Sequence, residues 1–254
     1  MTLHRVLLVA MVMAVFVWLG VTLDWSWLPT YIDNGLIFAG LWTTIWILVV
    51  SWAIGLFLAM WLGLAQAAGP WYLALPAKGF CSVIRGTPLL LQLWFVYYGL
   101  GSLFPEFPSI RHSAAWTVLR EAWPYAVFAL SISLAGYEGE VMRGAFLSVP
   151  RGQLEAARAY GMPAITILRR IWLPQAVRRV LPTIGGETVL LLKSTPLVAT
   201  ITVPDLYQAS LHIRQDTYVI YPPLLLLALT YMVITGFIVL LFHWLEHRVP
   251  SKAV

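Results

Sequence analysis

Charge is scarce in this chain. Of 254 residues, 16 are Lys or Arg and 11 are Asp or Glu, so charged side chains make up 11%. Soluble domains carry roughly 25%, and a fold of this size could not coat its surface with so few. An ordinary soluble enzyme and a disordered chain are therefore both excluded. Cysteine is nearly absent, and a lone Cys81 excludes a disulfide scaffold and serves as an apolar filler. No G-x-x-x-x-G-K-[ST] phosphate cradle occurs, so the chain is not expected to hydrolyse ATP itself. Zinc spacings, a Ser/His/Asp arrangement and a paired-carboxylate cleft are also missing, as are repeats and low-complexity tracts. His243 and His247 stand four apart, but no third ligand converges on them, and no metal is expected.

Apolar residues fill the space that charge leaves. They make up 60% of the sequence, with a mean hydropathy of +0.81. Charge-poor runs occur at 6–23, 36–64, 88–104, 123–142, 180–203 and 219–244. Each is near the roughly 20 residues that cross a bilayer as a helix. The first ends at Asp24, Trp25 and Trp27, and no small-x-small cleavage site follows it, so a retained helix is expected. Thr87 is placed as an N-cap and Pro88 as the first helical residue of the third run. The fifth run contains Pro182, Gly185, Gly186, Glu187, Lys193 and Pro196, which reads as a broken helix kept away from lipid. The fold class is thus all-α integral membrane, with about six transmembrane helices.

Basic residues set the orientation. With both termini inside, twelve of the sixteen fall on the cytoplasmic side: Arg5, Lys78, Arg85, the seven arginines of 143–179, Arg248 and Lys252. Arg111, Arg120 and Arg214 fall outside, and Lys193 lies in a span. The two long connections, 66–87 and 143–179, are then cytoplasmic.

The 143–179 stretch holds seven arginines and a single acid, Glu155. An Ala- and Arg-rich helix runs up to Gly161 and Pro163, and a second amphipathic helix follows through 165–172. Such a pair forms a compact knob able to dock in a groove on a soluble partner. A pair of interfacial helices resting on anionic lipid would share the basic content but not a fixed spacing. Here the spacing is Glu155-Ala156-Ala157, three residues, Gly161, nine residues, then Ile171-x-Leu173-Pro174. That pattern resembles the signature loop of permease subunits of binding-protein-dependent ABC importers. Seven fixed positions match, a coincidence on the order of one in 10⁵ from composition. Arg85-Gly86-Thr87-Pro88-Leu89 with Gln92, Glu140-Val141-Met142-Arg143-Gly144, and Leu192-Lys193-Ser194-Thr195-Pro196 resemble the polar amino-acid uptake branch.

This resemblance implies a five-helix permease core with cytoplasmic coupling helices, and an added helix at 6–23. The expected division is an N-terminal helix and loop at 1–35, a permease domain at 36–248 with coupling loop 143–179, and a cytoplasmic tail at 249–254. It further implies a bacterial inner-membrane, multi-pass protein with two ATP-binding subunits, a second permease chain and an extracytoplasmic solute-binding protein. ATP and magnesium belong to the partner ATPase, and the basic residues mark orientation and docking rather than nucleic-acid binding. Glu155, Ala156, Ala157, Gly161, Ile171, Leu173 and Pro174 are the coupling candidates. Glu187, Glu138, Gln92 and Thr195 are the candidates for the substrate pathway, since intramembrane acids are costly when unpaired in lipid. Glu140 and Arg143, three apart, suit a local ion pair. The branch often has Asn before the position of Glu187, where this chain has Gly186. An ion-coupled secondary carrier is the alternative, with an intramembrane enzyme behind it; neither requires the coupling knob.

Overall fold

A computed structural model describes residues 3–248, and among these no strand occurs. The expected tail at 249–254, with Lys252, lies outside the described residues. Helix α1 (Leu3–Thr22) is followed by a short α2 (Leu28–Asp33) and the long α3 (Leu36–Ala68). Next come α4 (Trp71–Gly86) and α5 (Leu89–Trp94), which continues through a π-helical turn (Phe95–Leu100), α6 (Gly101–Leu103) and a 3₁₀ turn ending at Glu106. Single turns α7 (Pro108–Arg111) and α8 (Trp116–Leu119) lead into α9 (Trp123–Leu147). The knob follows as α10 (Arg151–Ala159) and α11 (Ala164–Ile167), joined by a π-helical turn (Leu168–Trp172) to α12 (Leu173–Ser194). A 3₁₀ segment (Thr195–Ile201), α13 (Leu206–Thr217) and α14 (Tyr221–Arg248) complete the chain.

The centre of the molecule is α9, with fifteen of its 25 residues buried. Its small residues let neighbours approach closely, the usual basis of packing between membrane helices. A Cβ on Gly63 of α3 would lie 2.5 Å from Met142 of α9, and one on Gly136 of α9 would lie 2.5 Å from Ile84 of α4. By contrast α14 buries only Pro222, Pro223, Ile238 and Phe242, and its remaining surface is free to face lipid.

Three helical stretches are long and apolar enough to cross a membrane: Leu36–Ala68, Ala164–Ile201 and Tyr221–Arg248. A fourth forms only if the bent pair Trp71–Gly86 and Leu89–Glu106, at 106° to each other, counts as one span. The structure thereby alters the third expected run. That run is only the second half of the bent pair, whose first half is the helix α4, where the sequence suggested a connection at 66–87. Thr87 ends α4 and Pro88 is the N-cap of α5, one step from the expected positions. Gln92 drives this shift. Its side-chain amide Nε2 donates to the carbonyls of Ile84 at 2.8 Å and Thr87 at 2.9 Å, the second hydrogen shared with Thr87 Oγ1 at 2.9 Å. That amide group closes the elbow.

Two further expectations change. Pro182, Gly185 and Gly186 do not break α12, which runs unbroken to Ser194. From Thr195-Pro196 the helix tightens to 3₁₀ geometry, and it ends where Thr202 turns to φ 66°. Likewise the second knob helix does not stop at Trp172. It passes through the π-helical turn into α12 as one continuous stretch, Ala164–Ile201.

Candidate functional site

The knob is built around a small core of its own. Val149, Leu154, Ala157 and Ile167 bury against one another, with Met162, Ile171 and Trp172 packed alongside. Gly161 makes the turn between the two helices at φ 73°, in the left-handed region where a Cβ is disfavoured. The seven coupling candidates therefore separate into two groups. Glu155, Ala156 and Gly161 face outward, while Ala157 is buried and Ile171, Leu173 and Pro174 are half-buried. Glu155 forms no ion pair among the described residues. A groove of about 550 Å³ separates the knob from α3, with Trp61, Leu64, Leu73, Ile165 and Trp172 among its walls.

Three bonds join the knob to the bundle, and sequence reasoning named none of their donors as functional. Trp172 Nε1 donates to the Phe146 carbonyl at 2.8 Å, and its ring meets Phe146 edge-on at 5.3 Å between centroids. Gln175 Nε2 donates to Gln153 Oε1 at 2.7 Å. Arg179 donates to the Ser148 carbonyl. The sequence signal for Trp172 was its place inside the I-x-L-P pattern, where it fills the unspecified position. Together these bonds tie the end of α9 and the start of α12 to a single body.

Deeper in the bundle α9 and α12 each carry an acid. Glu138 is fully buried, and neither of its carboxylate oxygens has a hydrogen-bond partner. Glu187, on α12, is half-buried and lies within electrostatic range of Glu138. Immediately after it, Thr188 accepts from Trp52 Nε1 at 2.7 Å, which seats this part of α12 against α3. The other two pathway candidates serve as struts in this conformation. Gln92 braces the elbow with its amide group, leaving Oε1 buried and unpartnered. Thr195 is fully buried and its hydroxyl lies 2.9 Å from Tyr231 Oη. Glu140 and Arg143 stand as an ion pair at the α9 surface, with Nη2 2.9 Å from Oε2. Among the described residues no group of three potential ligands could hold a metal. A separate groove of about 600 Å³, walled by Ile54, Phe80, Trp123 and Phe128, has no charged lining and suits lipid chains.

The knob, the bent pair and the central α9 are an arrangement already known. Residues 55–250 match the family of binding-protein-dependent transport system inner membrane components. The chain belongs to that family. It is 45% identical over 170 residues to the octopine transport system permease protein OccM of Rhizobium meliloti, covering 67% of this chain and 68% of that one. It is 35% identical over 235 residues to the histidine/lysine/arginine/ornithine transport system permease protein HisM of Escherichia coli K12, covering 89% and 96% respectively. Among solved structures it resembles an amino acid ABC transporter crystallised with histidines, with 29% identity and a TM-score of 0.72 over 89% of this chain and all of that one. A methionine ABC transporter in inward-facing form shares the fold, at 17% identity and a TM-score of 0.67.

The chain is thus a multi-pass permease subunit of a binding-protein-dependent ABC importer, a transport component and not a catalyst. Such a permease works with an ATPase, on which ATP and magnesium act, and with a solute-binding protein.

Proposed function

We propose that this permease forms half of the pathway of an ATP-driven importer of cationic amino acids. The supporting observation is that Glu138, buried without a hydrogen-bond partner on α9, and Glu187, half-buried on α12, lie within electrostatic range of each other in a bundle poor in charge. Two like charges held close in a low-dielectric interior repel, and a cationic guest relieves both. Relatives named for octopine and for histidine, lysine, arginine and ornithine agree with such a substrate. In this reading Gln92 and Thr195 hold the surrounding helices in place, and Glu140 with Arg143 is structural.

The assembly contains two ATP-binding subunits, a second permease chain and an extracytoplasmic binding protein. Both termini are cytoplasmic, as is the knob, with 36–248 acting as the permease domain and 1–35 as an added helix and loop. Glu155, Ala156 and Gly161 meet the ATPase. Ala157, Ile171, Leu173 and Pro174 hold the knob rigid behind them. Closure of the ATPases on ATP moves the knob, and the continuous α11–α12 stretch carries that movement to Glu187.

Replacing Glu187 by Gln tests the pathway. In proteoliposomes holding the complete transporter, arginine uptake by Glu187→Gln is expected to fall about tenfold or more, since an unmade charge-assisted bond costs about 1.5–3 kcal/mol. Glu187→Asp should retain part of the activity. Uptake by Glu187→Gln at the unaltered rate would remove Glu187 from the pathway.

A further inference from the structure

The groove of about 550 Å³ between the knob and α3 has no part in the transport reading. One wall is the end of α3 and the start of α4, from Trp61 to Leu73, and the other is the knob, from Leu154 to Trp172. Leu154 and Arg158 stand four apart on α10 and both line the groove, while Glu155 lies about 100° around that helix. Among the described residues that wall the groove, Arg158 alone is charged and the others are apolar. Arg158 is exposed and makes no ion pair among the described residues.

Aromatic side chains fix the depth of this trough. Trp61 lines it, and Trp71 and Tyr72 stand exposed between the wall residues Gly69 and Leu73, their rings edge-on at 6.2 Å. Exposed Trp and Tyr at the end of a membrane-crossing helix mark the headgroup level of the bilayer. An apolar trough there, with one guanidinium, matches a molecule made of a hydrocarbon chain and an anionic head. Arginine binds phosphate through its planar fork of donors. The walls carry no acid to receive the ammonium of a zwitterionic head, and the 143–179 stretch holds seven arginines against one acid. A headgroup of net negative charge is therefore favoured over one whose ammonium cancels its phosphate. The groove of about 600 Å³ beside Phe80 offers chains a surface but has no charge with which to choose a head.

We propose that the groove between the knob and α3 is a site for an anionic phospholipid of the inner leaflet, its phosphate on Arg158 and an acyl chain along Leu154, Ile165 and Leu64. A chain lying there also touches Trp172, whose indole bonds the Phe146 carbonyl, so the lipid sits against the joint between knob and bundle. The outward residues Glu155, Ala156 and Gly161 remain free for the ATPase. The assignment adds to the transport reading and needs from it only the cytoplasmic placement of the knob.

The test titrates the purified permease–ATPase complex, in detergent and without substrate or binding protein, with dioleoylphosphatidylglycerol or dioleoylphosphatidylcholine. Bound lipid is counted by native mass spectrometry. The unaltered complex is expected to hold the glycerol lipid about fivefold to tenfold more tightly than the choline lipid. Arg158→Gln should bring the two within about twofold, and Arg158→Lys should keep most of the preference. Arg170→Gln, at an exposed arginine of the knob that does not wall the groove, should leave the preference unaltered. Ala68→Trp fills the groove from the α3 side and should weaken both lipids. A preference that survives Arg158→Gln, or that falls equally in Arg158→Gln and Arg170→Gln, would mean diffuse attraction to a basic surface and overturn the proposal. Release of the ATPase or of the second permease chain by Ala68→Trp, with lipid binding intact, would give the groove to that subunit and overturn it as well. No substrate is present, so none of these results depends on Glu187.

Discussion

In the proposed mechanism, single side chains carry force into the membrane part of this permease. Trp172 carries the most direct link, since its indole N–H ends on the Phe146 carbonyl while its ring packs edge-on against the Phe146 side chain. Trp172→Phe removes the donor and keeps most of the ring. Loss of that bond should cost about 1 kcal/mol. We expect ATP hydrolysis by the assembled transporter to persist while uptake per ATP drops, measured as the ratio of the two rates. A ratio equal to that of the unaltered protein would show that the bond carries no coupling. Residues of this kind were hard to read in advance. Glu187, Glu138 and the seven-position pattern stood out because charge is rare and because fixed spacing is improbable. Trp172 did not, because one of thirteen tryptophans in an apolar chain carries no mark of its partner. The elbow was hidden for a related reason, since linear order does not reveal that α4 packs on the middle of α9, where Ile84 meets Gly136.

At the level of elements, the long apolar runs at 36–64 and 219–244 were legible because hydropathy alone dictates them, and they appear as α3 and α14. Bends were not. Proline and glycine suggested a break within 182–186, but the α12 backbone tolerates them there, with Gly185 closely packed on Phe242. The true bend lies at Thr87-Pro88, where the Gln92 amide supplies the missing backbone bonds, and at Thr195-Pro196 the helix only tightens to 3₁₀ geometry. Such side-chain rescue of a broken helix is a tertiary event. In the proposed mechanism coupling depends on the continuity of α11 with α12. Arg169 lies exposed in the π-helical turn between them, so its replacement disturbs backbone more than packing. Arg169→Pro should interrupt this stretch at a cost of about 3 kcal/mol. Uptake should fall at least about tenfold, the complex should still assemble, and size-exclusion profiles with transport rates give both readings. Full transport by that variant would mean that the knob and α12 need not move as one body.

For the whole molecule, composition set the class before any motif did: a chain with 11% charged residues belongs in lipid, and the few charges left inside carry its specific chemistry. Two groups of charge matter to the proposed mechanism, the exposed basic residues of the knob and the interior acids Glu138 and Glu187, with α12 running between them, while the buried Asp205 caps α13. In this account the partner ATPase drives the first and a cationic amino acid occupies the second. The measurement that bears on it most directly is arginine uptake by proteoliposomes containing the full transporter and its binding protein, with and without enclosed ATP, for the unaltered chain and for Gly161→Asp. The left-handed φ of 73° at Gly161 makes that substitution a direct blow to the knob turn. We predict uptake only with ATP, and a loss of about tenfold or more in Gly161→Asp. Uptake that proceeds without ATP on a proton gradient, or that survives Gly161→Asp at full rate, would contradict the account.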